Sequence, residues 1–126
     1  MPKGQTVFNF IDLFAGAGGL SEGFIQAGFN PIAHVEMNAM AARTLETRAA
    51  FHYLKSQQDG SLKFYYAYER GEITREELFE HVPPQVIATV INEELSDKSI
   101  KLPFFKAKFV SALFNVENKS HNPKFP

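Results

Sequence analysis

The chain opens on a short run of apolar side chains, Val7, Phe8, Phe10, Ile11 and Leu13, that stops abruptly at glycines. A run of that length, bounded by Gly16, Gly18 and Gly19, predicts a buried strand over Thr6 to Leu13. Leu20, Phe24 and Ala27 then recur at helical spacing, and Gly28 stands where a helix can end on a left-handed residue. Asn30 to Val35 predicts a second short strand, closing on Glu36. Asn38 is a good N-cap for a helix from Ala39 to about Tyr53. The order β-α-β-α predicts two parallel strands joined by a right-handed crossover.

After Lys55 the pattern changes. Gln57 to Ser61 is turn-like, and Leu62 to Tyr68 is aromatic-rich, fitting a strand or a helix, with helix preferred. Thr74-Arg75-Glu76-Glu77 reads as a capping box that opens a short helix to about His81. Pro83-Pro84 stops it, and Pro84 can begin another helix running through Ile87, Val90, Ile91 and Leu95. From Lys101 onward the texture changes, and Phe104, Phe105, Phe109 and Phe114 crowd among lysines without a clean period. Three segments result: an α/β unit over 1–56, a helical insertion over 57–100, and a basic aromatic tail over 101–126 whose structure the pattern leaves open.

Composition narrows the classes. At 126 residues and 44% apolar content the chain is expected to be one domain at most, and wholesale disorder is not expected. The absence of cysteine excludes disulfides, a thiolate zinc site and a cysteine nucleophile within these residues. It also fits a reducing cytoplasm. Asn9 and Asp12 spoil the N-terminus as a secretory signal, and no apolar run approaches the roughly 20 residues that span a bilayer. A soluble, cytoplasmic protein with no membrane partner is expected. The net charge of −1 conceals a split, −5 over residues 1–100 and +4 over the tail. Those tail lysines are read as a solvated surface before a contact to phosphate backbones. His52, His81 and His121 show no metal-ligand spacing, so no metal is expected. His34, within a strand, reads as packed or exposed rather than catalytic, and Ser21 shows no evident base partner.

The glycine loop carries the chemistry. Gly16, Gly18 and Gly19 let backbone approach a ligand closely, and the amides of the helix that follows can donate to a carboxylate or phosphate. Glu36, about twenty residues on, is placed to accept from both hydroxyls of a ribose. A dinucleotide fingerprint would need its third glycine at Ser21, which counts against NAD or FAD, and there is no P-loop motif. Asp12-Leu13-Phe14-Ala15-Gly16-Ala17-Gly18-Gly19 suggests S-adenosylmethionine instead, with Phe14 offered to the adenine. The plainer reading is a tight strand-to-helix turn with Glu36 capping a loop.

At these residues the chain resembles the N-terminal portion of the DNA (cytosine-5)-methyltransferase family. Asp12 to Gly19, continuing through Gly23 and Ala27-Gly28-Phe29, is similar to that family's first motif, and Val35-Glu36-Met37-Asn38 with Ala41 to its second. The resemblance covers roughly residues 7–48 closely and softens to about Ile100. It implies a partial Rossmann-like S-adenosylmethionine methyltransferase fold of α/β class, with the helical insertion. It further implies that Phe14 lies on the adenine and that the Gly16, Gly18 and Gly19 backbone passes the methionine portion. Leu20 and Ser21 would offer amides to the carboxylate, Glu36 would bind the ribose, and Met37 would pack on the other adenine face, with simple core packing as its alternative. The family attacks a flipped cytosine in DNA with a cysteine thiolate, and none is available here. Glu117-Asn118 and Asp97 match family acids only superficially, so no catalytic residue is assigned. The expectation is a restriction-modification DNA methyltransferase fragment, inactive alone. Its alternatives are a non-catalytic subunit of a split enzyme whose second polypeptide carries the cysteine, and a cysteine-independent methyltransferase acting on RNA or a small molecule.

Overall fold

The computed structural model describes residues 6–13 and 15–98. Its element order is β1 (Asn9–Asp12), α1 (Gly19–Gln26), β2 (Asn30–Val35), α2 (Ala39–Gln57), α3 (Leu62–Glu69), α4 (Arg75–Phe79), α5 (Pro84–Ile87) and β3 (Val90–Ile91). The strands form one parallel sheet in the order β1-β2-β3. This is a mixed α/β arrangement, as the β-α-β-α pattern predicts. Pairing runs from Asn9↔Asn30 to Asp12↔His34, with a register shift between Phe10 and Ile11.

β2 is the central strand and the most buried. Ile32, Ala33 and Val35 join Ile91 in a small core, with Ile11 and Leu95 packed against it. A strand flanked on both sides loses its alternation and reads as a continuous apolar run. Aromatic rings fasten α1 to the sheet: Phe24 lies 5.2 Å from Phe10 and 5.3 Å from Phe29, centroid to centroid. α1 ends with Gly28 at φ +93°, the left-handed position expected of it.

A second core joins Ala50 and Leu54 of α2 to Leu78 and Val82. Asn38 caps α2 by accepting from the Ala41 amide at 3.0 Å, and the helix continues past Tyr53 to Gln57. The aromatic stretch after Ser61 is helical, as α3. Thr74 and Glu77 make the reciprocal capping box at the start of α4.

One element departs from expectation. Instead of a helix from Pro84 to Leu95, α5 is a single turn, and Val90–Ile91 extends as β3. Thr89 Oγ1 donates to Val86 O at 2.7 Å and closes the turn. The next two β-branched residues pair with His34 and Val35. The third strand therefore comes from the segment expected to be wholly helical. The tail over 101–126, with Glu117, Asn118 and His121, lies outside the described residues, as does Phe14. No helix among the described residues is long and apolar enough to cross a membrane.

Candidate functional site

In a parallel sheet, ligands collect beyond the carboxyl ends of the strands. β1 and β2 both end there, at Asp12 and Val35, and each is followed by an irregular segment that carries predicted site residues.

After β1 the chain turns through Gly16 at φ +55° and Gly18 at φ +95°. The turn is pinned by Ala15 N–H donating to Val35 O at 3.1 Å and Gly18 N–H to Ala15 O at 3.0 Å. A Cβ on Gly16 or Gly19 would meet nothing within 4 Å, so open space lies over both positions. Gly18 differs, because a Cβ there would come within 2.9 Å of Leu45 Cδ2. It lets α2 pack against the loop.

Gly18 is also the N-cap of α1 and brings no side chain to cap it. Glu22 N–H is the first to close an intrahelical bond, to Gly18 O at 2.9 Å. The amides of Gly19, Leu20 and Ser21 precede that bond and have no intrahelical acceptor. The Leu20 side chain is 69% exposed.

After β2, the Glu36 carboxylate turns back to the glycine loop. Its Oε2 accepts from Gly16 N–H at 2.6 Å and its Oε1 from Asn38 N–H at 3.0 Å. The acid and the loop, twenty residues apart in sequence, thus meet directly. Each carboxylate oxygen keeps further acceptor capacity for a ligand hydroxyl. The capping role of the plainer reading is present as well. Met37 is 68% exposed and does not pack into the core. Asn92, just after β3, donates through Nδ2 to the carbonyls of Glu36 at 2.9 Å and Met37 at 3.1 Å. Nothing in the sequence pattern singled Asn92 out; its role follows from the unpredicted strand.

Two polar clusters lie on the helix side of the sheet. Ser21 Oγ meets Asp12 Oδ2 at 2.7 Å and His34 Nδ1 at 3.1 Å. Ser21 thus has an imidazole neighbour that sequence reasoning missed, because the contact spans three elements. Burial pushes the His34 imidazole below its ordinary value and outweighs the Asp12 charge, which pulls the other way. Glu22 meets His52 Nε2 at 2.8 Å and Arg48 at 3.5 Å. Burial raises the Glu22 carboxyl, but the bond and charge of His52 and the charge of Arg48 together hold it below the usual range. Both clusters border a cavity of about 450 Å³ between α1, β2 and α2. Gly18 and Ser21 line it, whereas Glu36, Gly16 and Met37 do not, so the cavity lies behind the loop on the helix side.

A family profile described as C-5 cytosine-specific DNA methylase matches residues 8–65. Over this segment the chain is similar to the N-terminal portion of the DNA (cytosine-5)-methyltransferase family. The methylase match covers β1 through α2 and into α3, and so takes in the glycine loop and Glu36. Type II methyltransferase M.Bpa9945I of Bacillus paralicheniformis is 52% identical over 60 residues, which make up 48% of this chain and 13% of that relative. M.MjaORF1200P of Methanocaldococcus jannaschii, which carries a type II methyltransferase name, is 50% identical over 36 residues, 29% of this chain and 10% of its own length. The chain thus aligns with only a small part of either methylase relative. No solved structure matches it at a significant level.

Proposed function

We propose that this chain supplies the S-adenosylmethionine-binding portion of a DNA (cytosine-5)-methyltransferase with a partial Rossmann-like fold. The observation that carries the reading is Glu36, whose carboxylate bridges the Gly16 and Asn38 amides at the carboxyl ends of two parallel strands. The residues fit such a cofactor. Space is open over Gly16 and Gly19, uncapped amides stand at the start of α1, and the exposed Met37 can cover a flat ring. When bound, the cofactor supplies an electrophilic methyl group. The chain's own residues bind and orient: Glu36 accepts from the ribose, the Leu20 and Ser21 amides donate to the carboxylate, and Met37 packs on the adenine. Phe14 is assigned the opposite adenine face from its motif alone. Gly18 serves the site indirectly, by admitting α2 beside the loop.

In the whole enzyme the substrate is cytosine in DNA, in a restriction-modification setting. The thiolate that such chemistry needs comes from outside these 126 residues, because they hold no cysteine. A second polypeptide carrying that cysteine is one source.

Isothermal titration with S-adenosylmethionine tests the reading. The chain is expected to bind saturably. Glu36→Ala is expected to weaken binding on the order of tenfold to a hundredfold, the loss of one or two charge-assisted hydrogen bonds. Absence of binding by a chain that circular dichroism shows to be folded would overturn it.

A further inference from the structure

Ser21 is polar yet only 2% exposed, and His34 beside it is 6% exposed. Their contacts fix where the protons sit. A serine hydroxyl has one proton, and a carboxylate can only accept, so the 2.7 Å bond from Ser21 Oγ to Asp12 Oδ2 uses that proton. The 3.1 Å contact between Ser21 Oγ and His34 Nδ1 must then run the other way, with the imidazole donating from Nδ1. His34 is held as the Nδ1–H tautomer. The result is a directed relay, His34 to Ser21 to Asp12, made of one residue from each of β2, α1 and β1.

The placement of the relay matters more than its chemistry. Asp12 is the last residue of β1, where the chain enters the glycine loop, and Ser21 lies in the first turn of α1, where the chain leaves it. The relay ties the two ends of the loop together and anchors both to the central strand. Ser21 turns its side chain inward, while its amide is among those that α1 leaves without an intrahelical acceptor.

We propose that Ser21 and His34 are positioning residues that set the pitch of the first turn of α1, so that the Leu20 and Ser21 amides meet the ligand's carboxylate. This rests on the S-adenosylmethionine reading above. A role confined to stability would treat all ligands alike, whereas positioning those amides affects only ligands that carry the carboxylate.

The test compares S-adenosylmethionine with 5′-methylthioadenosine, which keeps the adenine, ribose and S-methyl group, as a neutral thioether in place of the sulfonium, but lacks the amino acid end. Ser21→Ala is expected to weaken S-adenosylmethionine about tenfold, as for loss of one well-placed hydrogen bond, and to leave methylthioadenosine within about twofold. His34→Asn, whose side-chain amide takes the place of Nδ1–H, is expected to retain most of the affinity, and His34→Leu to lose it as Ser21→Ala does. Equal loss for both ligands, or no loss, would overturn the proposal while the cofactor reading stood. If the folded wild-type chain bound neither ligand, the cofactor reading would fall and the proposal with it. Nitrogen-15 shifts of His34 in the unliganded chain give an independent check. Nδ1 protonation is expected, and an Nε2–H tautomer would overturn the relay whatever the ligands do.

Discussion

Residues that sit close together in this loop do different work, and substitution separates them. Gly16 and Gly18 both lie at positive φ, but only Gly18 faces a neighbour, Leu45. Gly16→Ala is expected to cost about 1 kcal/mol from backbone conformation alone. Gly18→Ala should cost more, about 2–3 kcal/mol with the added clash. In urea melts, Gly18→Ala combined with Leu45→Ala should be less destabilising than the sum of the single changes, because the shortened Leu45 side chain no longer meets the new methyl group. His34 sets a pH limit at the same scale. Its folded pKa is depressed below the ordinary 6.5, so it stays neutral in the fold while the unfolded chain takes up a proton. Its contribution is therefore complete above about pH 6.5 and is lost as pH falls through the folded value. Glu22, also depressed, adds a second loss below its ordinary 4.5. Thermal melts from pH 8 to pH 4 should show stability falling on acidification, and His34→Asn should flatten the upper part of that decline.

At the scale of elements, legibility followed locality. β2, α1 with its Gly28 terminus, the Asn38 cap and the Thr74–Glu77 box all rest on residues within a few positions of one another, and their signals could be read directly. β3 could not. Val90 and Ile91 are equally at home on an apolar helix face, and only pairing with His34 and Val35 decides for the strand. The same holds for the site: the motifs marked Gly16 and Glu36, but their direct bond, the Asn92 clamp and the inward turn of Ser21 depend on elements meeting in space. Asn92→Ala is expected to leave helix content unchanged and to weaken S-adenosylmethionine binding severalfold, since the segment bearing Glu36 and Met37 loses two hydrogen bonds. In the helical half, Leu78→Ala at a fully buried position should cost about 2–5 kcal/mol in urea unfolding, and Thr74→Ala about 1 kcal/mol.

At the scale of the molecule, the proposed cofactor binding is expected to come apart from methyl transfer. The chain alone is expected to bind the cofactor and to transfer no labelled methyl group to cytosine-containing DNA; turnover by the pure chain would require a nucleophile other than cysteine. The two halves of the fold share one long element. α2 spans 19 residues, about 28 Å, with Leu45 beside the glycine loop and Leu54 in the helical core. That arrangement has a kinetic consequence through β3. Asn9 pairs with Asn30, but His34 must find Val90, more than twice as far along the chain. Closing the longer loop costs about 1 kcal/mol more in chain entropy if the intervening residues are loose, and less if α2 to α5 have already condensed. The order of events should therefore be helical core first and third strand last. In stopped-flow refolding, Leu54→Ala is expected to slow folding, and Ile91→Ala to act mainly by speeding unfolding. The strand that completes the Glu36 clamp would then be the last to form and the first to let go, so a chain emerging from synthesis would acquire its ligand site in the final step of folding.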